Sequence, residues 1–172
     1  MTDKTTAERP SPIIHTKELK PEDGFPFKHP LNPNSQAEFH RLSRPAGLQR
    51  SHVNMLRVPP GKEAFMLHRH SVQEEWSYIV AGEGTAQIGE EKFKVAAGDF
   101  IAFPLNGKAH TIVNTGTRDL VYLTGGEDTP YDIGHFPTIG KMVVFKPDGI
   151  EVIDESGGKT YSFQQWIAGD LK

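Results

Sequence analysis

The sequence predicts an all-β protein whose short strands form a small barrel. Glycine (17 residues) and proline (13 residues) are frequent and fall at regular intervals along the chain. Between them lie short segments in which apolar and polar residues alternate, with turn residues about every 8–12 positions. This pattern favours strands joined by tight turns over long helices. With 172 residues, the chain is long enough for one domain with a hydrophobic core.

Composition and charge exclude several classes of function. The net charge of −3 provides no basic surface for nucleic acid and no polybasic patch for anionic lipid. The absence of cysteine excludes disulfides, thiolate metal sites and cysteine nucleophiles. Residues 1–6 lack the apolar core of a signal peptide, and no apolar run approaches the roughly 18 residues of a membrane span. We therefore expect a cytoplasmic protein that binds neither nucleic acid nor membranes.

The chain divides into four parts by composition. We predict a disordered tail, an N-terminal arm that packs on the barrel or on a partner subunit, a barrel core and a short C-terminal extension. In chain order these are residues 1–12, 13–50, 51–126 and 127–172.

The arm is rich in proline and carries isolated aromatic residues. Ile13 and Ile14 are candidates for a short edge strand, and Phe25 and Phe27 lie in an irregular stretch. A lone small barrel could not fully bury such an arm, so we expect it to contact a second subunit. The protein is therefore predicted to be a homodimer.

Alternation and turn residues then predict the individual strands. The segment 36–42 also fits a short helix, but a strand is favoured. The predicted strands are 36–42, 52–58, 62–70, 75–81, 85–88, 92–95, 100–103, 110–114, 120–124, 142–145 and 150–153. A final helical turn is predicted at 163–168.

Three histidines and a glutamate form the candidate functional site. His68 and His70 are one residue apart on the predicted strand 62–70 and should share a face, because side chains alternate along a strand. Glu75 follows at the start of the next strand, and His110 opens a later one. Three imidazoles and a carboxylate are a ligand set for one divalent transition metal. Iron, manganese, nickel and zinc all accept such ligands, so the pattern does not identify the metal.

These residues lie in two motifs that resemble those of the cupin superfamily. The first motif has the order Gly, His-x-His, Glu, Gly, and the second has the order Gly, Pro, Gly, His, Asn. The matching residues are Gly61, His68, His70, Glu75 and Gly82, then Gly98, Pro104, Gly107, His110 and Asn114. The spacers before His68 and before Gly107 are each one residue longer than usual. The six residues between Glu75 and Gly82 favour Glu75 over its neighbour Glu74 as the acidic ligand.

The resemblance implies a jelly-roll barrel, a double-stranded β-helix, with the metal ligands inside the cup and often a homodimeric assembly. It does not imply one reaction, since cupins include dioxygenases, decarboxylases, isomerases, lyases, storage proteins and regulators. We expect a metal-dependent enzyme of dioxygenase or isomerase type that acts on a small polar or carboxylate-bearing metabolite. The alternative is a non-catalytic metal- or ligand-binding protein, a sensor or accessory protein. No catalytic residue is assigned beyond the metal ligands.

The remaining candidates have structural explanations. Arg57 and Gln73 are the nearest side chains for an anionic substrate, although surface roles are favoured for both. Asn114 is expected to hold a loop by a hydrogen bond, and Trp76 and Tyr78 are expected to pack between sheets or at a dimer contact. Surface or core positions are expected for the other histidines, His15, His29, His40, His52 and His135.

Overall fold

The computed structural model describes residues 11–169, so most of the predicted tail lies outside the described residues. Within this range the chain forms thirteen strands and one short α-helix. They are β1 (Phe25–Lys28), β2 (Gln36–Arg41), β3 (Ser51–Val58), β4 (Arg69–His70), β5 (Glu75–Ala81), β6 (Glu83–Ile88), β7 (Glu91–Ala96), β8 (Phe100–Phe103), β9 (His110–Val113), β10 (Leu120–Glu127), β11 (Asp132–Phe136), β12 (Lys141–Lys146), β13 (Gly149–Asp154) and α1 (Phe163–Ala168). None of the helices in this range is long and apolar enough to cross a membrane.

The six-stranded sheet forms one wall of the fold, with strand order β1-β2-β3-β10-β5-β8. A three-stranded sheet, β7-β6-β9, faces it across the main core. The apolar side chains at this interface are those that alternation turns inward, and Leu56, Ile79 and Leu120 are completely buried. The predicted all-β class is confirmed, and the arrangement is that of a jelly roll.

Glycines occupy the tight turns that connect consecutive short strands. Gly82 lies between β5 and β6 and has a φ of +84°, a backbone conformation that residues other than glycine rarely adopt. A Cβ atom at this position would also lie 2.5 Å from the carbonyl oxygen of Asp119. Gly82 thus combines a positive φ with a close approach of another backbone segment, and either of these alone favours glycine.

The predicted strand 62–70 is wrong for most of its length. Only β4, its last two residues, pairs as a strand, and it pairs with β11. Earlier in the segment, Glu63 bridges Ser35 and Val113, and His68 bridges His110. The backbone thus changes hydrogen-bonding partners as it crosses from one sheet to another, which alternation of side chains alone cannot reveal.

The C-terminal extension forms a second core beside the main one. Strands β13-β12-β11-β4 make a four-stranded sheet, and Met66, Phe136 and Val143 are buried under it. The sequence predicted β12, β13 and α1 but missed β11. Because β4 is the edge strand of this sheet, the extension is joined directly to the His-x-His motif.

The N-terminal arm lies on its own chain. β1 and β2 extend the six-stranded sheet, and the Phe27 ring lies 5.5 Å from that of Phe65. The buried Glu63 carboxylate accepts hydrogen bonds from the side chains of Asn32 (2.6 Å) and Thr111 (3.1 Å), which ties the arm to the barrel. The edge strand predicted at Ile13 does not form. The arm is not fully buried on its own barrel, since Phe25 is 38% exposed, and the homodimer stays a prediction.

Candidate metal centre

The structure brings together the four side chains that the sequence singled out. Glu75 opens β5, His110 opens β9, and His68 and His70 lie at β4. The Nε2 atoms of His70, His110 and His68 are 3.3, 3.4 and 3.8 Å from the Oε2 atom of Glu75. Three rings from two sheets therefore point the same nitrogen at one carboxylate oxygen.

This donor set fits a divalent transition metal. One ligand atom from each of His68, His70 and Glu75 lies within 4.8 Å of the others. Nitrogen and oxygen ligands held about 2.1 Å from a common metal lie roughly 3.0–3.5 Å apart, close to the separations around Glu75. His110 is not part of that group of three, but its Nε2 atom lies 3.4 Å from the same Glu75 oxygen, so it is a candidate fourth ligand. The residues that could hold a metal are therefore the two histidines of the motif, Glu75 and His110.

Hydrogen bonds fix which nitrogen of each motif histidine is available. The Nδ1 atom of His68 donates to the carbonyl oxygen of Met66 at 2.8 Å, because a carbonyl can only accept. The Nδ1 atom of His70 is bound to the Asp132 carboxylate. Both rings therefore keep their proton on Nδ1 and leave the Nε2 lone pair facing Glu75. Partners of this kind orient metal-binding histidines and raise their basicity.

Asp132 is a functional candidate that the sequence did not identify. Its side chain is buried at the start of β11, and it also accepts hydrogen bonds from the Val72 amide (3.1 Å) and the Gln73 side chain (3.2 Å). It thereby supports both the His70 ring and the corner that leads to Glu75. A single aspartate in the extension, far along the chain from both motifs, matches no sequence pattern that would mark it as a partner of a metal-binding histidine.

One aromatic ring from each core holds a histidine in place. Phe103, in the main core, stacks on His110 with ring centroids 3.7 Å apart and an interplanar angle of 6°. Phe136, in the second core, stacks on His68 at 5.8 Å and 18°. The two rings restrict rotation of these imidazoles, so the site is largely pre-formed.

Burial and the neighbouring charges set the protonation states. Burial alone would raise the pKa of the Glu75 carboxyl, but the surrounding His110, His68 and His70 rings hold it well below its usual value. Burial lowers the pKa of His110, and the nearby His68 ring lowers it further. Burial would raise the pKa of Asp132, but its bond to His70 keeps it below the ordinary range. Glu75 is therefore a carboxylate, and the site is suited to a cation.

Gln73 and His52 lie beside this point, whereas the other sequence candidates lie away from it. Glu74 is exposed and accepts a hydrogen bond from the Leu105 amide. Arg57 forms an exposed ion pair with Asp119, and Gln73 is engaged with the Asp132 carboxylate. Tyr78 does not pack between sheets, because it is 41% exposed. His52, expected at a surface or core position, instead approaches Glu75, with Nε2 3.8 Å from Oε1.

Comparison with known proteins finds similar chains. The family model for the cupin domain matches residues 54–125. The oxalate-binding protein of Thermotoga maritima is 34% identical over 85 residues, which are 49% of this chain and 69% of that protein. The crystal structure of a putative sugar phosphate isomerase from Acidithiobacillus ferrooxidans has a TM-score of 0.80 and 28% identity, covering 86% of this chain and 92% of that one. A sugar phosphate isomerase structure from Silicibacter pomeroyi has a TM-score of 0.72 and 21% identity, covering 84% and 97%, and shows likeness of fold alone.

Proposed function

The chain belongs to the cupin superfamily, and from this premise we propose that it is an enzyme in which His68, His70, Glu75 and His110 hold one divalent transition metal. The observation that supports this most is the convergence of three Nε2 atoms, at 3.3–3.8 Å, on one oxygen of Glu75. A divalent cation bound by all four side chains would explain why three imidazoles cluster around one carboxylate.

The metal would act as a Lewis acid on oxygen atoms of a bound metabolite. The chain's own residues would form the binding cavity for that metabolite and keep the metal ligands in the required protonation states. His68, His70 and Glu75 line a cavity. His110 does not line it and lies on the other side of these ligands, towards the main core. Asp132 keeps the proton of His70 on Nδ1, and the low pKa of Glu75 keeps it a carboxylate. We therefore assign Glu75 the role of a ligand and not that of a general base.

The proposed reaction is of isomerase or dioxygenase type, on a small metabolite that offers carboxylate, carbonyl or hydroxyl oxygens. Likeness to the putative sugar phosphate isomerase, which extends over 86% of this chain, supports the isomerase type. The name of the oxalate-binding relative favours a second candidate, a protein that binds such a metabolite without converting it.

Metal analysis tests the ligand set. Protein purified without a nickel column should contain about one equivalent of a transition metal. His68→Ala and His110→Ala should each lower occupancy by about tenfold or more and lower the melting temperature, because bound metal stabilises only the folded state. His15→Ala, at an exposed position, is the matched control. Full occupancy in both ligand variants would show that the ligand set is wrong.

Turnover separates the enzyme from the binding protein. Oxygen consumption by iron(II)-loaded protein is measured over a panel of diols, keto acids and thiols, and aldose–ketose interconversion is followed in parallel. Conversion that is lost in His110→Ala supports the enzyme. Binding without conversion of any panel member supports the second candidate.

We further propose that the protein acts as a homodimer in the cytoplasm. An apolar patch on the outer face of the six-stranded sheet supports the dimer. It consists of Tyr78, Val80 and Phe100, which are 41%, 46% and 63% exposed. Tyr78 and Phe100 are register partners on β5 and β8, so the patch is continuous.

A further inference from the structure

A cavity of about 300 Å³ opens directly onto the candidate metal ligands. His68, His70 and Glu75 form its floor. Its volume is at the lower end of the range of small-molecule sites, about 300–1,000 Å³. A metabolite that reached the metal from this side would lie against the cavity walls, so their chemistry restricts what the site can bind.

The walls above the floor are apolar. The lining includes four phenylalanine rings, Phe27, Phe65, Phe136 and Phe145, together with Val143 and Val152. The rings come from the arm, from the segment before His68 and from the four-stranded sheet. No lysine or arginine within residues 11–169 lines this cavity. A phosphate or a second free carboxylate would therefore be buried here without a cation, which is costly.

The opposite side of the ligands does not offer room for such a group. Arg69 and Lys108 lie there beside a void of only about 10 Å³, which is at most enough for a single water molecule. Lys108 is also paired with Glu91 at 2.9 Å. The cations near the site are thus separated from the cavity that can accept a metabolite.

One wall residue supplies a fixed polar hydrogen. His29 lines the cavity, and its Nδ1 atom accepts a hydrogen bond from the Leu31 amide at 3.1 Å. Since an amide N–H can only donate, the proton of the neutral ring is on Nε2. Within the described part of the chain, His29 is the one polar side chain of the lining that is not a candidate metal ligand.

We propose that this site takes a metabolite with an oxygen-bearing head and an apolar body of about the size of a benzene ring. The inference rests on the proposed function for its head group, which the metal would bind, and on the cavity walls for its body. Sugar phosphates and free oxalate, which the names of the similar proteins suggest, lack such a body. The sequence predicts a small polar or carboxylate-bearing metabolite; in this proposal only the head group is polar, and the rest of the molecule is apolar.

Binding of matched keto acids tests the proposal. Pyruvate and phenylpyruvate share one head group and differ by a phenyl ring, and glucose 6-phosphate represents the sugar phosphates. In calorimetric titrations of the zinc-loaded protein, phenylpyruvate should bind about tenfold more tightly than pyruvate or better, a difference of about 1.4 kcal/mol. Equal affinities for the two keto acids, or tighter binding of glucose 6-phosphate than of phenylpyruvate, would overturn it.

A pair of variants on β13 assigns the effect to the cavity. Val152 lines it, whereas its neighbour Ile153 does not and points to the other face of the strand. Val152→Asn should weaken phenylpyruvate binding about threefold or more and leave pyruvate unchanged, since it adds a polar group to the wall without adding charge. Ile153→Asn is the matched control. An equal loss in both variants would contradict the assignment to this cavity.

A ligand without a head group separates this inference from the proposed function. If the protein takes up no metal, the proposed function fails, but the cavity can still be tested with toluene and metal-free protein. Ligand-observed NMR should then detect toluene binding that Val152→Asn reduces and Ile153→Asn does not. Absence of toluene binding to the folded protein would overturn the apolar-body inference by itself.

Discussion

Replacing Asp132 with asparagine tests how the site selects the Nε2 atom of His70. Asp132 is 3% exposed, and one of its side-chain oxygens accepts a hydrogen bond from the Val72 amide at 3.1 Å. The other oxygen is bound to the Nδ1 atom of His70. Asparagine has the same shape but only one acceptor oxygen. The backbone amide of Val72 needs an acceptor, whereas the Gln73 side chain, which donates to the oxygen that faces His70, can turn its own amide oxygen to that position instead. We therefore expect the asparagine oxygen to stay on Val72 and the amide nitrogen to face His70.

The consequence is a change of tautomer. An amide nitrogen can only donate, so the Nδ1 atom of His70 would have to accept, and the ring proton would move to Nε2. That is the atom that lies 3.3 Å from Glu75, and a protonated nitrogen cannot bind a metal. Loss of such a supporting carboxylate typically lowers metal affinity about 10–100-fold, which is about 1.4–2.7 kcal/mol. The folded structure should change little, because the bond to Val72 remains.

Zinc affinity is measured by competition with a chromophoric chelator, and the tautomer of His70 by nitrogen-15 NMR of the metal-free protein. Asp119→Asn is the control, since it removes the exposed ion pair with Arg57 and leaves the site intact. Wild-type affinity in Asp132→Asn, or a His70 ring that still carries its proton on Nδ1, would refute the reasoning.

Three further predictions concern the fold and the assembly. Asn114→Ala should destabilise the protein by about 3 kcal/mol in urea unfolding, because its buried amide donates to two backbone carbonyls and accepts from the Gly116 amide; a loss below about 1 kcal/mol would contradict this. Removal of metal with a chelator should speed hydrogen exchange in β4 and β11 more than in β3 and β10, whereas a uniform increase would count against a site shared by two sheets. Light scattering should give a dimer, and a particle of 19.1 kDa at roughly micromolar concentration would contradict the homodimer.

Local pattern was sufficient for strands that stay within one sheet over their whole length, even where their partners are distant in sequence, as β10 and β8 are for β5. Along β5, Ser77 and Ile79 are buried and Tyr78 and Val80 are exposed, as alternation predicts. Local pattern failed to predict the pairing of segment 62–70. Side chains alternate along an extended backbone whether that backbone pairs within one sheet or crosses between two, so alternation does not distinguish the two cases. The pairing partners, such as Gly134 for His70, are distant in sequence. Their positions depend on how the whole chain folds.

The same distinction applies to the candidate site. The spacing of two short motifs was enough to select His68, His70, Glu75 and His110, which the structure brings together. Asp132 is 62 residues from His70 along the chain, in strand β11, which was not predicted and which contains Gly134. That glycine has a packing reason, since a Cβ atom at Gly134 would lie 3.2 Å from the ring of Phe136. No spacing rule connects such an extension to the motif.

The two histidines of the motif pair with strands of different sheets, and this explains why the site and the extension form one unit. The backbone of His68 bridges that of His110, at the edge of the main core, while His70 pairs with β11, above the second core. Each core also supplies one stacked phenylalanine, Phe103 or Phe136. A metal bound by both histidines would therefore join the two cores. Conversely, the extension would contribute to metal binding although it would supply no ligand, because it fixes the ring of His70 through Asp132 and forms the apolar wall above it.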